Sequence, residues 1–416
     1  MRRWLLLIFL TTIAVDWPRL PFNIRATDAA FIAAAAAILA GVRTWAWPRL
    51  RLLDGAIAVY LSGSLAGLIF SPDPVAGAVE LVRHVYVAGI YAIIAIAVHH
   101  GLASTVATGL ALSGGVLAMV GLVAGAVRML TGYGTTALTP LTALPYLGET
   151  VRIRALAASE SMFACLLAVS LPFALLHPWV QSSRRRTVIA ATILGVAAAL
   201  TFSHSIAGIA TAVLIVSWRH LRTAPLRAGA VAAVLLVILA FNFAASIAVR
   251  SIGTTPFRDD TVFQYVIAGG RTEIAGVNIE YQTMSYLRIK QVALDAFRSR
   301  PLFGIGLDRF HHVTEAAFQQ GRLPENYRAV DPHSSFIGRL AETGLVGLIT
   351  MVILWIAIGR TAAEWFALTS PPDWMALAAI AALAGTLVNS MNADVMNFRF
   401  LWVVLGLMRG RIAAHT

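Results

Sequence analysis

About twelve runs of apolar residues follow one another along this chain, and most approach the roughly 20 residues that an α-helix needs to cross a lipid bilayer. Hydrophobic residues make up 58% of the 416 and charged residues only 12%, a composition typical of membrane proteins. The sequence therefore predicts an all-α integral membrane protein with about twelve transmembrane helices. The runs lie near residues 4–15, 27–42, 52–70, 78–98, 102–127, 156–177, 187–203, 205–218, 227–249, 334–359, 374–392 and 397–408.

The arginines between these runs predict the orientation of the helices. Cytoplasmic loops of membrane proteins carry an excess of basic residues. Both termini are therefore predicted to be cytoplasmic, and the run after Met1 is interpreted as an uncleaved first helix. The net charge of +12 is explained by these cytoplasmic arginines and does not indicate a nucleic-acid partner. The arginines on the cytoplasmic side are Arg2, Arg3, Arg43, Arg49, Arg51, Arg184, Arg185, Arg186, Arg219, Arg222, Arg227, Arg360, Arg409 and Arg411.

A long polar stretch divides the chain into three predicted parts. Helices 1–9 occupy residues 1–249, a loop domain occupies 250–332, and helices 10–12 occupy 333–416. The loop contains ten basic and nine acidic residues, a balance that favours a folded domain outside the cytoplasm. Residues 283–299 have helical periodicity, so the loop is predicted to be partly helical. Function is expected in this loop and in the other long outer connection, 128–155.

A histidine lies where the loop re-enters an apolar helix. Asp331 is suited to the N-cap and Pro332 to the first helical position, so His333 is predicted to lie in the first turn. The positive end of the helix dipole favours a neutral imidazole there, as well as anions nearby. His333 is therefore a candidate for proton transfer on a lipid-linked substrate.

Three segments around this histidine resemble the O-antigen ligase and polymerase superfamily. In that family a basic helix and a Pro-Leu-x-Gly-x-Gly turn precede the histidine, which is followed after nine further residues by Gly-x-x-Gly. Here residues 301–306 match the turn, and the spacing from His333-Ser334 to Gly344 and Gly347 matches the ligase form of the motif. The resemblance is specific over about 280–350 and extends more weakly to the whole twelve-helix plan.

The chain departs from the family pattern at two places. The family has an arginine followed at a fixed spacing by leucine, and Arg288 with Val292 in the leucine position matches this only in part. Many relatives carry Ser-Arg between helices seven and eight, where this chain has Ser203-His204-Ser205.

The resemblance implies a membrane glycosyltransferase in lipopolysaccharide biosynthesis, facing the periplasm from the bacterial inner membrane. Similar enzymes move a glycan from undecaprenyl pyrophosphate to an acceptor hydroxyl, on lipid A–core in ligases or on another lipid-linked glycan in polymerases. The diphosphate is already an activated leaving group, so no nucleotide or redox cofactor is expected. No metal site is expected either, because the adjacent pair in the outer loops, Asp259-Asp260, is typical of a solvated turn.

The resemblance and the residue types together suggest roles for individual side chains. His333 is the expected base, and cations are needed for the departing diphosphate. Ser334, Gly344 and Gly347 are expected to support the motif, the two glycines mainly through close helix packing. The candidates for binding the diphosphate, all predicted near the outer membrane surface, are Arg288, Arg154, Arg83, Arg152 and His204.

Structural interpretations of several charged residues remain open. Arg83 is three residues from Glu80, and an ion pair between them is as plausible as substrate binding. Glu342 is expected to pair with Arg339 within one helix, and Arg399 is expected to make a structural pair close to Asp394.

Three functions remain open at this point. A ligase is favoured by the motif spacing, and a polymerase of the same superfamily differs from it only in the acceptor. A transporter or flippase with twelve helices is the alternative from another class. Transporters of the major-facilitator type have two similar halves, whereas here the largest loop is predicted outside, between helices nine and ten.

Overall fold

The computed structural model describes residues 1–16, 25–42, 50–144, 148–221, 247–254, 269–283, 286–323, 327–369 and 373–415. Most of these residues are helical, and a π-helical turn, Val98–Leu102, joins the fourth helix to the fifth. The helices in chain order are α1 (Arg2–Thr11), α2 (Ala26–Leu39), α3 (Leu52–Ile69), α4 (Pro74–Ala97), α5 (Ala103–Thr131), α6 (Glu160–Leu176), α7 (Pro178–Gln181), α8 (Arg184–Ala199), α9 (Ile206–Leu221), α10 (Tyr286–Ser299), α11 (Phe310–Gln319), α12 (Ser335–Leu368), α13 (Trp374–Asn389) and α14 (Arg399–His415).

Several of these helices are suited to a membrane. In the described part of the chain, three helical stretches are long and apolar enough to cross one: Leu52–Ile69, Gly77–Thr131 and Ser335–Leu368. The second stretch is interrupted at Gly101, whose φ is 85°, so the two predicted spans 78–98 and 102–127 correspond to separate helices, α4 and α5. Shorter apolar helices are Ala26–Leu39, Glu160–Leu176, Ile206–Trp218 and Trp374–Asn389.

The predicted runs coincide with described helices at eleven of the twelve positions. The exception is the ninth run, because residues 227–246 lie outside the described residues and 247–249 belong to a strand rather than a helix. A total of twelve transmembrane helices therefore stays a prediction.

Two helices form the centre of the bundle. Every residue of α6 from Met162 to Ala174 is buried, and in α14 burial is continuous from Arg399 to Gly410. A helix that is apolar on all sides lacks a face for water and lies in a protein core or in a membrane, and here neighbouring helices enclose both. Accordingly, α6 packs against α5, α9 and α13, whereas α14 packs against α4 and α12.

Ion pairs between helix ends gather several of the predicted cytoplasmic arginines at one end of the bundle. Arg51 at the start of α3 lies 2.5 Å from Glu364 near the end of α12. Arg409 near the end of α14 pairs with Asp54 at 2.9 Å, and its neighbour Arg411 pairs with Asp373 at 3.0 Å. The opposite end of α12 begins beside His333, so the candidate site and these arginines lie at opposite ends. We call the end with His333 the outer end.

The outer connections contain small sheets that the sequence pattern did not predict. Strands β1 (Leu141–Leu144) and β2 (Gly148–Val151) form an antiparallel pair between α5 and α6. Strands β3 (Ile247–Gly253), β4 (Gly269–Ile274) and β5 (Val277–Thr283) form an antiparallel sheet in the order β3-β5-β4. The helical prediction therefore holds for the bundle, while the outer loops are mixed.

The predicted helix in the long loop is present as α10, and it shares a core with α11 and the start of α12. Its buried face consists of Ile289, Val292, Ala293 and Ala296, which recur at the spacing of one helical face. Phe310 of α11 and Ala341 of α12 belong to the same core. The outer loop is therefore packed directly onto the first part of α12.

Helix α12 is broken at Gly344, and the turn 301–306 fills the break. Gly344 has φ 64° and ψ −158°, a combination that only glycine adopts readily. The amides of Ile305 and Gly306 donate to the carbonyls of Ala341 and Glu342, each at 3.0 Å. In return, the amides of residues 345 and 346 donate to the carbonyls of residues 301 and 302, at 2.9 and 3.2 Å. The turn thus satisfies backbone groups that an interrupted helix would leave unpaired.

Glycine is required on both sides of this contact. A Cβ on Gly344 would lie 2.4 Å from the carbonyl of Leu302, and a Cβ on Gly304 would lie 2.3 Å from the backbone of Glu342. The sequence predicted close packing for Gly344, and the structure identifies the backbone of the outer turn as its neighbour. Gly347 lies in the second half of α12, where a Cβ would overlap the side chain of Thr343.

Candidate active site

His333 lies just before α12 rather than inside its first turn, so the predicted helix start at Asp331 and Pro332 is wrong. The N-cap is Ser334, whose side-chain oxygen accepts a hydrogen bond from the amide of Ile337 at 3.4 Å. His333 has a φ of 48°, which is uncommon for a residue with a side chain. Such backbone strain is typical of functional sites, and here it accompanies a helix that starts three residues later than predicted.

The imidazole of His333 is held neutral. Burial lowers its pKa to about 4, and the positive charges of Lys290 and His204 contribute in the same direction. A neutral imidazole is the state that the sequence predicts, but the predicted cause, the helix N-terminus, is not the main one. The charge of Lys290 instead makes this side of the site electropositive, and His204 adds to it when protonated.

Lys290 on α10 is the cation that the sequence prediction missed. Its ammonium group donates to the carbonyl oxygen of Met391 at 3.0 Å and to Oδ1 of Asn392 at 2.9 Å. It is the only lysine in the sequence, and this rarity could have drawn attention to it, but the sequence alone assigned it no function. Leu294 follows it at the same spacing as Val292 follows Arg288, so each pair matches one of the two residues of the family pattern.

His204 and Arg152 complete a group of four basic side chains. Arg152 donates from Nε to the carbonyl of Thr201 at 2.9 Å and from Nη2 to that of Phe202 at 3.2 Å. It thereby supports the turn that carries His204, in which Phe202 has a φ of 45°. Burial lowers the pKa of His204, and the charges of Arg152 and Lys290 lower it further. We call His333, Lys290, His204 and Arg152 the basic cluster.

The contacts of two other predicted diphosphate ligands lie outside this cluster. Arg288 donates to the carbonyl of Arg322 at 3.2 Å, within the outer loop. Arg154 donates to the carbonyls of Ala137 and Thr136, at 3.1 and 3.2 Å, in the connection before β1. Their role in binding a diphosphate stays a prediction.

A second polar feature lies on the other side of the segment that carries His333. It is a cavity of about 100 Å³ between α4, the start of α12 and the outer loops. Arg83 lies in its wall and pairs with Glu80 at 2.8 Å, so the expected ion pair is present, and a role of Arg83 in binding the diphosphate stays a prediction. We call it the acidic cavity, because five of its lining residues are carboxylic acids. The lining consists of Glu80, Arg83, His84, Asp308, Asp331, Pro332, Ser334, Ser335, Gly338, Arg339, Glu342, Asp394 and Asn397.

A buried arginine anchors the floor of the acidic cavity. Arg339 donates to Ser64 at 3.1 Å and to Nε2 of His84 at 2.7 Å, and it also bonds and stacks on Tyr60. The predicted pair of Arg339 with Glu342 is not formed, because Glu342 instead accepts the amide of Phe310 at 3.1 Å. These hydrogen bonds cross between helices and fix the first part of α12 against α3 and α4.

Asp394 and Arg399, which the sequence placed together, have different partners. Asp394 accepts from Ser335 Oγ at 3.0 Å, beside the N-cap of α12, and burial raises its pKa. Arg399 pairs with Asp28 of α2 at 2.6 Å, so the expectation of a structural pair is right but its location is not. Glu80 also accepts from Asn397 at 2.5 Å, which ties α4 to the connection before α14.

Together these features define a membrane-embedded helical protein with a half-buried histidine and a basic cluster at the outer end, beside a helix broken at glycine. Residues 187–352 match the family model described as O-antigen ligase. The resemblance to the O-antigen ligase superfamily seen in the sequence is therefore confirmed over this segment, which is less than half of the chain. The segment includes His204, Lys290, His333 and Gly344. No curated protein matches the chain significantly.

Proposed function

We propose that the protein is an O-antigen ligase-like glycosyltransferase, which moves a glycan from undecaprenyl pyrophosphate to a hydroxyl of lipid A–core. The supporting observation is a neutral, half-buried imidazole at His333 beside Lys290, within the segment that matches the family. Glycosyl transfer from a diphosphate needs a proton acceptor and positive charge, and both are present there. The site would face the periplasm from the inner membrane of a bacterium, with both chain termini in the cytoplasm.

The proposed reaction is a single displacement at the anomeric carbon. The acceptor oxygen forms a bond to that carbon while the bond to the diphosphate oxygen breaks, and the diphosphate leaves with the electron pair. His333 takes the proton from the acceptor hydroxyl. The charge that develops on the leaving group is stabilised by Lys290 and Arg152, and by His204 when it is protonated.

Binding of the donor would also raise the pKa of His333, the proposed base. In the structure the pKa of His333 is lowered to about 4, partly by Lys290 and His204. A bound diphosphate brings negative charge next to the same cations and offsets their effect, so the pKa of His333 should rise towards neutrality. The imidazole would thus become a stronger base when the donor is in place, because basicity and pKa rise together.

The ligase is preferred over the polymerase because the spacing between His333-Ser334 and the two glycines matches the ligase form. The polymerase remains the second enzyme candidate, since it would use the same site with a lipid-linked glycan as acceptor. A transporter is disfavoured by the family match, whose members are ligases or polymerases.

The deciding experiment incubates the purified protein with undecaprenyl-diphosphate-linked glycan, with lipid A–core in one arm and without it in the other. Product on lipid A–core supports the ligase, and lengthened lipid-linked glycan supports the polymerase. Donor that is bound but unchanged in both arms would overturn the proposal.

A further inference from the structure

The acidic cavity and the basic cluster lie on the two sides of one short segment, residues 331–335. Pro332 and Ser334 line the acidic cavity, whereas His333 between them interacts with Lys290 and His204. The carboxylates of the acidic cavity therefore lie on one side of His333, and the basic side chains of the cluster lie on the other. A diphosphate is attracted to the second side and repelled from the first.

Two carboxylates of the acidic cavity have no partner within the described residues. Asp308 and Asp331 make no hydrogen bond and no ion pair there, in contrast to Glu80 and Asp394. Partial removal from water raises the pKa of both, and the negative charge of Glu80 adds to this effect. Asp308 is half-buried and Asp331 is exposed, so both carboxylates can be reached by a ligand that donates hydrogen bonds.

His84 also lines the cavity, and its side chain is 1% exposed. Its Nε2 lies 2.7 Å from Nη2 of Arg339 and 3.4 Å from Oε1 of Glu80, and its Nδ1 has no hydrogen-bond partner among the described residues. These contacts hold the imidazole inside the wall, so the groups that the cavity offers to a ligand are its carboxylates.

We propose that the acidic cavity is the acceptor subsite and binds uncharged sugar hydroxyl groups next to the one that reacts at His333. The proposal rests on the proposed function for the reaction, and on the cavity itself for the chemistry of recognition. Each sugar hydroxyl can donate a hydrogen bond, so a pair of them can donate to Asp308 and Asp331. A cavity of about 100 Å³ admits such groups in place of several waters.

Two other ligands fit this lining less well. A phosphorylated sugar would meet five carboxylic acids and two guanidinium groups. Both guanidinium groups already have protein partners, Arg83 in Glu80 and Arg339 in Ser64 and His84, so the excess of acids would lower the affinity for phosphate. A metal ion is also disfavoured, since within the described ranges no group of three or more potential ligands is arranged to hold one. The acceptor sugar at this position is therefore inferred to be free of phosphate.

Substitution of the two free carboxylates tests the subsite. In full-length protein, Asp308→Asn/Asp331→Asn keeps the shape of both side chains, and asparagine tolerates the positive φ of residue 308. We expect the KM for lipid A–core to rise about 10-fold or more, with donor affinity unchanged and kcat reduced less than KM is raised. Asp295→Asn, an exposed loop carboxylate paired with Arg298 and Arg322, is the matched control and should leave KM unchanged. An unaltered acceptor KM in the double variant would overturn the subsite.

A binding measurement on the unsubstituted protein separates this inference from the proposed function. The probe is core oligosaccharide released from lipopolysaccharide, used with and without its phosphates, and carbodiimide labelling of carboxylates is read by mass spectrometry. Dephosphorylated oligosaccharide should protect Asp308 and Asp331 but not Asp295, and the phosphorylated form should protect them less. If oligosaccharide protects the two carboxylates but no glycan is transferred, the subsite is supported and the transferase function is overturned. If glycan is transferred but the carboxylates are not protected, the transferase function is supported and the subsite is overturned.

Discussion

The amide nitrogen of Leu345 donates a hydrogen bond of 2.9 Å to the carbonyl oxygen of Pro301, across the break in α12. Through this bond and its neighbours, the turn 301–306 supplies hydrogen-bond partners that α12 itself lacks at the break. Its existence depends on Gly344, because any side chain there would enter the turn.

Gly344→Ala should destabilise the protein by about 2–4 kcal/mol, since strained φ and ψ add to the clash with Leu302. The measurement is the midpoint of thermal inactivation in detergent. Gly359→Ala is the control on the same helix, where a Cβ meets nothing within 4 Å, and it should be neutral or slightly stabilising. Equal midpoints for the two variants would show that the break does not need glycine.

His333→Ala should reduce glycan transfer by at least about 100-fold and leave donor binding nearly intact, because it removes a proton acceptor rather than a cation. Single-turnover transfer and direct donor binding measure the two quantities. His312→Ala, an exposed histidine on α11, should behave like the unsubstituted protein. Normal turnover by the His333 variant would remove this residue from the reaction.

Lys290→Ala should weaken donor binding about 10- to 100-fold, the loss expected for charge-assisted hydrogen bonds to phosphate. Lys290→Arg keeps the positive charge and should retain most of the affinity. Arg298→Ala removes an exposed cation from the same helix and serves as the control. If Arg288→Ala weakened donor binding and Lys290→Ala did not, Arg288 rather than Lys290 would be the residue of α10 that binds the diphosphate.

The same lysine should control the pH dependence of the free enzyme. His333 has a lowered pKa of about 4, partly because Lys290 opposes protonation of the imidazole. Removing that charge in Lys290→Ala stabilises the imidazolium, so the acid limb of kcat/KM should move to higher pH. Lys290→Arg should leave the limb in place. A limb that is unchanged in both variants would mean that a different group controls the acid limb.

Arg339→Leu should cost about 3–5 kcal/mol, because it leaves Tyr60 and His84 buried without their charged partner. Thermal stability in detergent measures the effect. Arg360→Leu makes the same exchange at an exposed position of the same helix and should change stability little. Similar losses in both variants would indicate that the buried network contributes nothing specific.

Hydropathy predicted most of the bundle correctly, since burial of the backbone in an apolar environment requires long apolar helices. It could not locate the break in α12, because the run around Gly344 is continuous and the cause lies in a turn about forty residues earlier. The small sheets were missed for a related reason, since they depend on pairing between segments rather than on the local pattern. The delayed start of α12 shows a further limit, because Ser334 displaced Asp331 as the N-cap.

The candidate site was predicted in part. Motif spacing identified His333, and the resemblance directed attention to cations, but only packing shows which cations approach it. Arg288 and Lys290 are two positions apart on α10, so they leave the helix in different directions, and the sequence alone does not reveal which one faces His333. The acidic cavity was not predicted at all, because its carboxylates come from four separate parts of the chain.

The glycine pair across the break also has a consequence for recognising related chains. Gly304 and Gly344 are each kept free of a side chain by the backbone of the other's segment, so a larger residue at either position cannot be accommodated by trimming a side chain at the other. The Pro-Leu-x-Gly-x-Gly turn and the glycine after the histidine therefore form one signature, and a search should require both together. A sequence with only one of them would need a differently built outer half of this helix.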